Sequence, residues 1–169
     1  LRENRVRVGV RLGHVGAQNQ LGVCFASGRG APKDELEAYN WFRRAAEGGN
    51  AVAQFNIAHA YASGAGVGKH MPSALAWVRK SADQGYPKAY CRLGLFYRDG
   101  EGIAADASTA ATLFRQGADK GEEWCMALLG EAYEKGAGVA KDPKQARAWY
   151  TRAAAKGYEP AKERLKALK

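Results

Sequence analysis

Apolar positions along the chain recur at helical spacing, not in alternation. Ala53, Ile57, Ala60 and Tyr61 fall at offsets of four, seven and eight, which places them on one face of an α-helix ending near Ser63. Gly64 then supplies the left-handed conformation that closes a helix, at a position where a Cβ costs about 1–2 kcal/mol. A short loop follows, and a second helix starts near residue 70. The pattern predicts a helix-turn-helix hairpin, and it occurs more than once.

Gly28, Gly64, Gly100 and Gly136 are each 36 residues apart. Gly30, Gly66, Gly102 and Gly138 keep the same interval, as do Gly49, Gly85, Gly121 and Gly157. Apolar columns agree: Leu21, Ile57, Leu93 and Leu129; Phe25, Tyr61, Tyr97 and Tyr133; Ala38, Ala74, Ala110 and Ala146. Trp41, Trp77 and Trp149 form a further column, with Leu113 in the third unit. Four complete units result, 15–50, 51–86, 87–122 and 123–158, and a fixed period of this length signals a solenoid. Residues 1–14 are read as a degenerate N-terminal flank. Within it, alternating basic and apolar residues from Arg5 to Leu12 suggest a strand, whereas Gly9, Val10 and Gly13 match the end of an upstream second helix, the favoured reading. Residues 159–169, with Ala161 and Leu165 in the core columns, are read as a capping helix over the exposed end of the last repeat. The whole chain, 1–169, is expected to form a single solenoid domain.

Each hairpin carries local punctuation. An apolar residue occupies every loop, Ala31, Val67, Ile103 or Val139, and is expected to plug the gap between paired helices. Asp34 three residues before Glu37, and Asp142 before Pro143 and Gln145, match N-cap and first-turn patterns. His70 takes the cap column in unit two, so that helix start is expected to be the least well held. The Ala columns beside Trp and Tyr imply small-against-large helix packing, which makes the aromatic stripe a core feature.

The chemistry-bearing residues change this picture little. Among 169 residues, 26 Lys and Arg outnumber 17 Asp and Glu, a net charge of +9. Residues 1–13 and 156–169 each contribute +3, so the basicity is mostly terminal. No apolar run approaches the ~20 residues a bilayer crossing needs, and no membrane insertion is expected. Cys24, Cys91 and Cys125, at spacings of 67 and 34, form neither a disulfide framework nor a metal knuckle and are read as free, mostly buried thiols. His14, His59 and His70 lack metal-ligand spacing. His-Glu-x-x-His, Gly-x-x-x-x-Gly-Lys, Ser-x-x-Lys and Gly-x-Ser-x-Gly do not occur. The Gly-x-Gly pairs end helices instead of following strands, which removes them as phosphate loops. No catalytic residue, metal or cofactor is assigned.

Leu21-Gly22-x-x-Phe25-x-x-Gly28-x-Gly30, then Asp34, then Ala38-x-x-Trp41-Phe42-x-x-Ala45-Ala46-x-x-Gly49, resembles one unit of the SEL-1-like repeat (SLR) family. Leu129-Gly130-x-x-Tyr133-x-x-Gly136-x-Gly138-Val139-x-x-Asp142, with Ala146-x-x-Trp149-Tyr150-x-x-Ala153-Ala154-x-x-Gly157, resembles it more closely. The resemblance covers about 144 of 169 residues, with departures at Ala58, His70 and Leu113 that are expected to weaken local packing. It implies an all-α fold, a right-handed α/α superhelix of 36-residue repeats related to tetratricopeptide repeats, with Gly28, Gly64, Gly100 and Gly136 as structural glycines. It further implies a non-catalytic scaffold or adaptor for a protein or peptide, monomeric alone or one subunit of a complex. The first helices of the repeats would line the concave face, and there the sequence offers Asn19, Val23, Phe55, Asn56, His59, Arg92, Leu95, Arg98 and Glu131 as partner-binding residues. Asn19, Asn56 and Arg92 could hydrogen-bond an extended peptide or a carboxylate, with Phe55 and Leu95 as apolar contacts; the same positions on a bare surface are ordinary solvated residues. An RNA-contacting scaffold using the basic termini is the alternative. Its weakness is that the groove columns hold Val, Ala, Leu and Glu as often as polar residues, so no base code is present. The cellular compartment is left open.

Overall fold

The computed structural model describes residues 13–168, and the reading of the flank at residues 1–12 lies outside them. Nine α-helices and no strand are present among the described residues. They are α1 Val15–Ser27, α2 Glu35–Glu47, α3 Ala51–Ser63, α4 Met71–Asp83, α5 Pro87–Asp99, α6 Ala107–Asp119, α7 Glu123–Lys135, α8 Pro143–Ala155 and α9 Glu159–Ala167. Helices α1, α3, α5 and α7 open the four repeats and are termed A helices; α2, α4, α6 and α8 close them and are termed B helices. The chain divides into two compact units after Gln84. The first contains α1–α4 and the second α5–α9.

The ends of the A helices share one construction. Gly28, Gly64, Gly100 and Gly136 have φ of 70, 81, 70 and 72°, and their N–H groups reach the carbonyls of Cys24, Ala60, Phe96 and Ala132. The next N–H bonds to the same carbonyl in each repeat. The N–H of the coming cap residue then reaches back to the aromatic carbonyl, as Asp34 to Phe25, His70 to Tyr61, Asp106 to Tyr97 and Asp142 to Tyr133, at 2.8–3.0 Å. Each loop is thereby tied into its hairpin through backbone bonds, which explains how the side chains can vary while the turn persists.

B helices begin on side-chain caps. Asp34 accepts from Glu37 N, Asp106 from Ser108 N and Thr109 N, and Asp142 from Lys144 N and Gln145 N. At His70 a cap is made, but by the longest of the B-helix cap bonds, 3.3 Å against 2.9–3.1 Å at Asp34, Asp106 and Asp142, in keeping with the weaker start expected there. The His70 Nδ1 accepts from Ser73 N and lies 2.8 Å from Ser73 Oγ, so the imidazole replaces the missing carboxylate as an acceptor.

Large-against-small packing joins the helices of a hairpin. A Cβ at Gly22 would lie 2.6 Å from the Phe42 ring, one at Gly94 2.5 Å from Phe114, and one at Gly130 3.0 Å from Tyr150. In repeat two the glycine becomes Ala58 while the aromatic becomes Val78, and both are fully buried. The expected loss of packing at Ala58 is therefore offset by a smaller partner. Within each unit the two repeats meet just as closely: a Cβ on Gly66 or Gly138 would stand 1.9 Å from the carbonyl oxygen of Glu35 or Ala107, at the start of the preceding B helix. Buried polar groups at the junction of repeats one and two are satisfied. Gln54 donates to Ala46 O and accepts from Gln84, and Ser81 donates to Ala51 O.

Each unit has its own core. Phe42, Ile57 and the paired alanines centre the first, with Phe25, Tyr61 and Val67 packed against them. Phe114, Leu129, Trp149 and Tyr150 centre the second, joined by Ala161 and Leu165 of α9. The cysteine reading needs correction: Cys91 of α5 and Cys125 of α7 form a disulfide with Cα atoms 5.1 Å apart, leaving Cys24 as the free thiol. Both bridged residues are fully buried. Gly117 of α6 makes the room, since a Cβ there would lie 2.1 Å from Cys125 Sγ; Ala45, Ser81 and Ala153 occupy that column elsewhere.

Candidate interaction surface

In the first unit, Asn19 of α1 is buried and accepts at Oδ1 from Asn56 Nδ2 of α3 at 2.9 Å. These two amides link adjacent A helices. Asn19 therefore does not present a free side chain to a partner, because neighbouring repeats already use its acceptor. Asn56 is half-buried, and Phe55 beside it is half-buried too, whereas His59 is exposed and Val23 stands 39% exposed. Ala26, Tyr39, Phe42, Asn56, His59 and Ala60 line a cleft of about 190 Å³. The Tyr39 hydroxyl meets that of Tyr61 at 2.8 Å, and this hydrogen bond raises the Tyr61 pKa.

In the second unit the same repeat positions carry charge. Arg98 pairs with Asp99 at 2.7 Å and reaches Glu131 of α7 at 3.7 Å; Glu131 also receives Lys135 at 2.5 Å. The hydrogen bond to Asp99 pushes Arg98 further toward its charged form, against partial burial. Leu95 is half-buried. Arg92 lies over the Trp124 ring, 5.5 Å from its centroid, and its Nε is buried without an acceptor among the described residues. Burial lowers the Arg92 pKa, and the charge of Glu101 opposes that effect. Two clefts open here. One of about 300 Å³ is lined by Arg98, Phe114, Leu128 and Glu131, the other of about 350 Å³ by Trp124, Leu128, Tyr150, Tyr158 and Arg164.

The 190 and 300 Å³ clefts are one feature repeated. Ala26, Phe42, Asn56 and His59 stand 72 residues before Arg98, Phe114, Leu128 and Glu131, so a common backbone framework presents an amide and imidazole in one unit and an ion pair in the other.

The B helices carry residues that sequence reasoning missed. Arg44 lies 4.8 Å from the Trp41 ring, Lys80 4.3 Å from Trp77 and Arg152 4.5 Å from Trp149. Trp149 is core, but Trp41 and Trp77 are only half-buried, and a cation covers each ring. In repeat three both members change together, to Leu113 and Gln116. A basic residue three positions after each tryptophan was the available signal.

Three basic residues of the C-terminal segment are engaged in ion pairs: Lys162 with Glu159, Lys166 with Glu163, and Arg164 with Glu134. Glu134 also accepts from the Tyr150 hydroxyl at 2.9 Å, and these bonds, Arg164 first, hold its carboxyl below the usual range. Burial, with the Glu134 bond second, pushes Tyr150 up. No group of three or more potential metal ligands occurs among the described residues, and no described helix is long and apolar enough to cross a membrane.

These helical hairpins, stacked at a fixed period, define an all-α repeat solenoid. The Sel1 repeat family is matched over residues 15–50, 51–86, 87–122 and 125–158, and the chain belongs to it. The crystal structure of a Sel1 repeat protein from Oxalobacter formigenes is similar at 32% identity and a TM-score of 0.90, covering 95% of this chain and 64% of that one. The crystal structure of c5321, a protective antigen of uropathogenic Escherichia coli with an SLR fold, is 34% identical at a TM-score of 0.83, covering 91% and 33%. The chain thus spans less than two thirds of either of these proteins. Helicobacter pylori cysteine rich protein B, 22% identical with a TM-score of 0.60 over 76% of this chain and 92% of that one, shares the fold. No match was found among curated proteins. Sel1 repeat proteins are generally protein-interaction scaffolds, and the fold is generally non-enzymatic.

Proposed function

We propose that this chain is a non-catalytic adaptor that holds a protein or peptide on the exposed faces of its A helices, as one subunit of a larger assembly. The observation that carries this reading is the recurrent cleft. Its backbone and its aromatic floor, Phe42 or Phe114, are kept at a 72-residue interval, while the side chains at its rim change chemistry. Fixed frame with variable rim is what recognition of an extended ligand by a helical surface requires. Val23 and Val52, both on A helices, add exposed apolar contacts. The RNA-contacting alternative has no support: Lys162, Arg164 and Lys166 of the C-terminal segment are held in the ion pairs described above, and such pairing weakens the counterion-release drive to bind phosphate.

Affinity capture from extract with Asn56→Ala and Arg92→Ala variants tests the reading. Reduced recovery of the same partner by both variants is expected. Unchanged recovery would move the binding surface to the B helices or the termini.

A further inference from the structure

Helix α5 of the second unit contains one unusual cation, beside the clefts but not in their linings. Arg98, Lys135 and Arg164 each have a carboxylate partner, at Asp99, Glu131 and Glu134. Arg92 has none within 4 Å among the described residues, and its half-buried guanidinium rests on Trp124 with Nε buried and unpaired. A buried Nε–H without an acceptor is costly in an isolated protein, because buried donors are nearly always satisfied. Low local dielectric also strengthens any counter-charge that arrives. The indole fixes the plane of the guanidinium, and the two terminal nitrogens can receive a carboxylate end-on without access to Nε. Apolar surface flanks this point: Leu95 lies one turn further along α5, and Leu128 occupies on α7 the repeat position that Arg92 has on α5.

We propose that Arg92, seated on Trp124, anchors the carboxylate of an aspartate or glutamate side chain within an extended partner segment lying across α5 and α7, whose apolar residues two positions away contact Leu95 and Leu128. Alternate side chains of an extended segment point the same way and lie about 7 Å apart, which matches contacts on neighbouring turns and helices. The proposal rests on the adaptor reading and specifies what one part of that surface selects. Charge complementarity decides the occupant: an acidic segment supplies the acceptor that the chain itself withholds.

The test is NMR titration of the full chain, following the Arg92 Nε–Hε and Trp124 indole signals with three probes: acetyl-Leu-Ala-Glu-Ala-Leu-amide, its Glu→Gln counterpart, and that glutamine peptide with a free C-terminal carboxylate. The glutamate peptide is expected to shift both signals and to bind at least about tenfold more tightly than the glutamine amide. Arg92→Lys, which keeps the charge but loses the planar fork, is expected to remove most of that preference while the dispersion of the spectrum shows an intact fold. Equal binding of glutamate and glutamine amides at α5 and α7 would overturn the carboxylate assignment and leave the adaptor surface standing. A free-terminus peptide that shifts Arg92 as strongly as the glutamate peptide would overturn the choice of side chain over chain end. Absence of shifts on both helices with all three peptides at millimolar concentration would overturn the proposal together with the adaptor surface on α5 and α7.

Discussion

Removing the bridge between Cys91 and Cys125 tests the packing of the second unit. The bridge joins A helices of consecutive repeats across a sequence separation of 34. Closing a loop of that length removes about 12.6 cal/mol/K of denatured-state entropy, or about 3.8 kcal/mol at 25 °C. The change should be local, because each repeat contacts only its neighbours and stability in such arrays is not shared evenly. Native-state hydrogen exchange on the oxidised protein, the reduced protein and a Cys91→Ala/Cys125→Ala double variant reads it directly. The slowest amides of α5–α8 are expected to lose protection by about six-hundredfold, and those of α1–α3 to change little. Alkylation of the unfolded, unreduced chain should label Cys24 alone. Labelling of three thiols, or identical exchange in oxidised and reduced protein, would refute the reasoning. Gly117→Ala provides a second handle, since its Cβ would collide with Cys125 Sγ and should slow oxidation of the pair.

Gly66→Ala and Gly138→Ala should each destabilise the fold by more than the ~1–2 kcal/mol of a left-handed residue, because the added carbon meets a backbone carbonyl; Gly64→Ala, with no close neighbour, should lose only that smaller amount in urea denaturation. Ala58→Gly and Val78→Phe should each cost about 1 kcal/mol or more alone, whereas the double variant should be less destabilised than their sum, as read by a double-mutant cycle. Glu134, whose pKa is held down by Arg164 and Tyr150, stabilises the attachment of α9 above the unfolded carboxylate pKa of about 4.3 and loses that contribution as pH falls through its lower folded value. Circular dichroism of the wild type should therefore show α9 loosening on acidification, and Glu134→Gln should weaken α9 at neutral pH while flattening that pH dependence.

The 36-residue period made the helices, their left-handed glycine ends and most caps legible, because these depend on local backbone chemistry repeated four times. What stayed hidden depends on pairs of residues that meet only once repeats are stacked. Cys91 and Cys125 are 34 apart, two short of the period, a spacing that means nothing until A helices of adjacent repeats lie side by side. Asn19 looked like a polar surface residue until Asn56 was found donating to it. Ala58 looked like a defect because its compensation, Val78, lies twenty residues away on the other helix of the hairpin. At His70 the sequence showed the loss of the carboxylate but not its substitute, an imidazole nitrogen that caps at 3.3 Å. The tryptophan column was read as uniform core, yet the basic residue three positions on showed where a ring would be covered by a cation instead of by hydrocarbon.

Site-specific photo-crosslinking tests the adaptor assignment most directly. Benzophenone side chains would be placed singly at His59 and Leu95 on A helices and at Thr112 and Gln116 on the exposed face of α6, and irradiated in extract. A common partner captured from the first pair and absent from the second is the predicted result. Capture from Thr112 and Gln116, with none from His59 or Leu95, would contradict it.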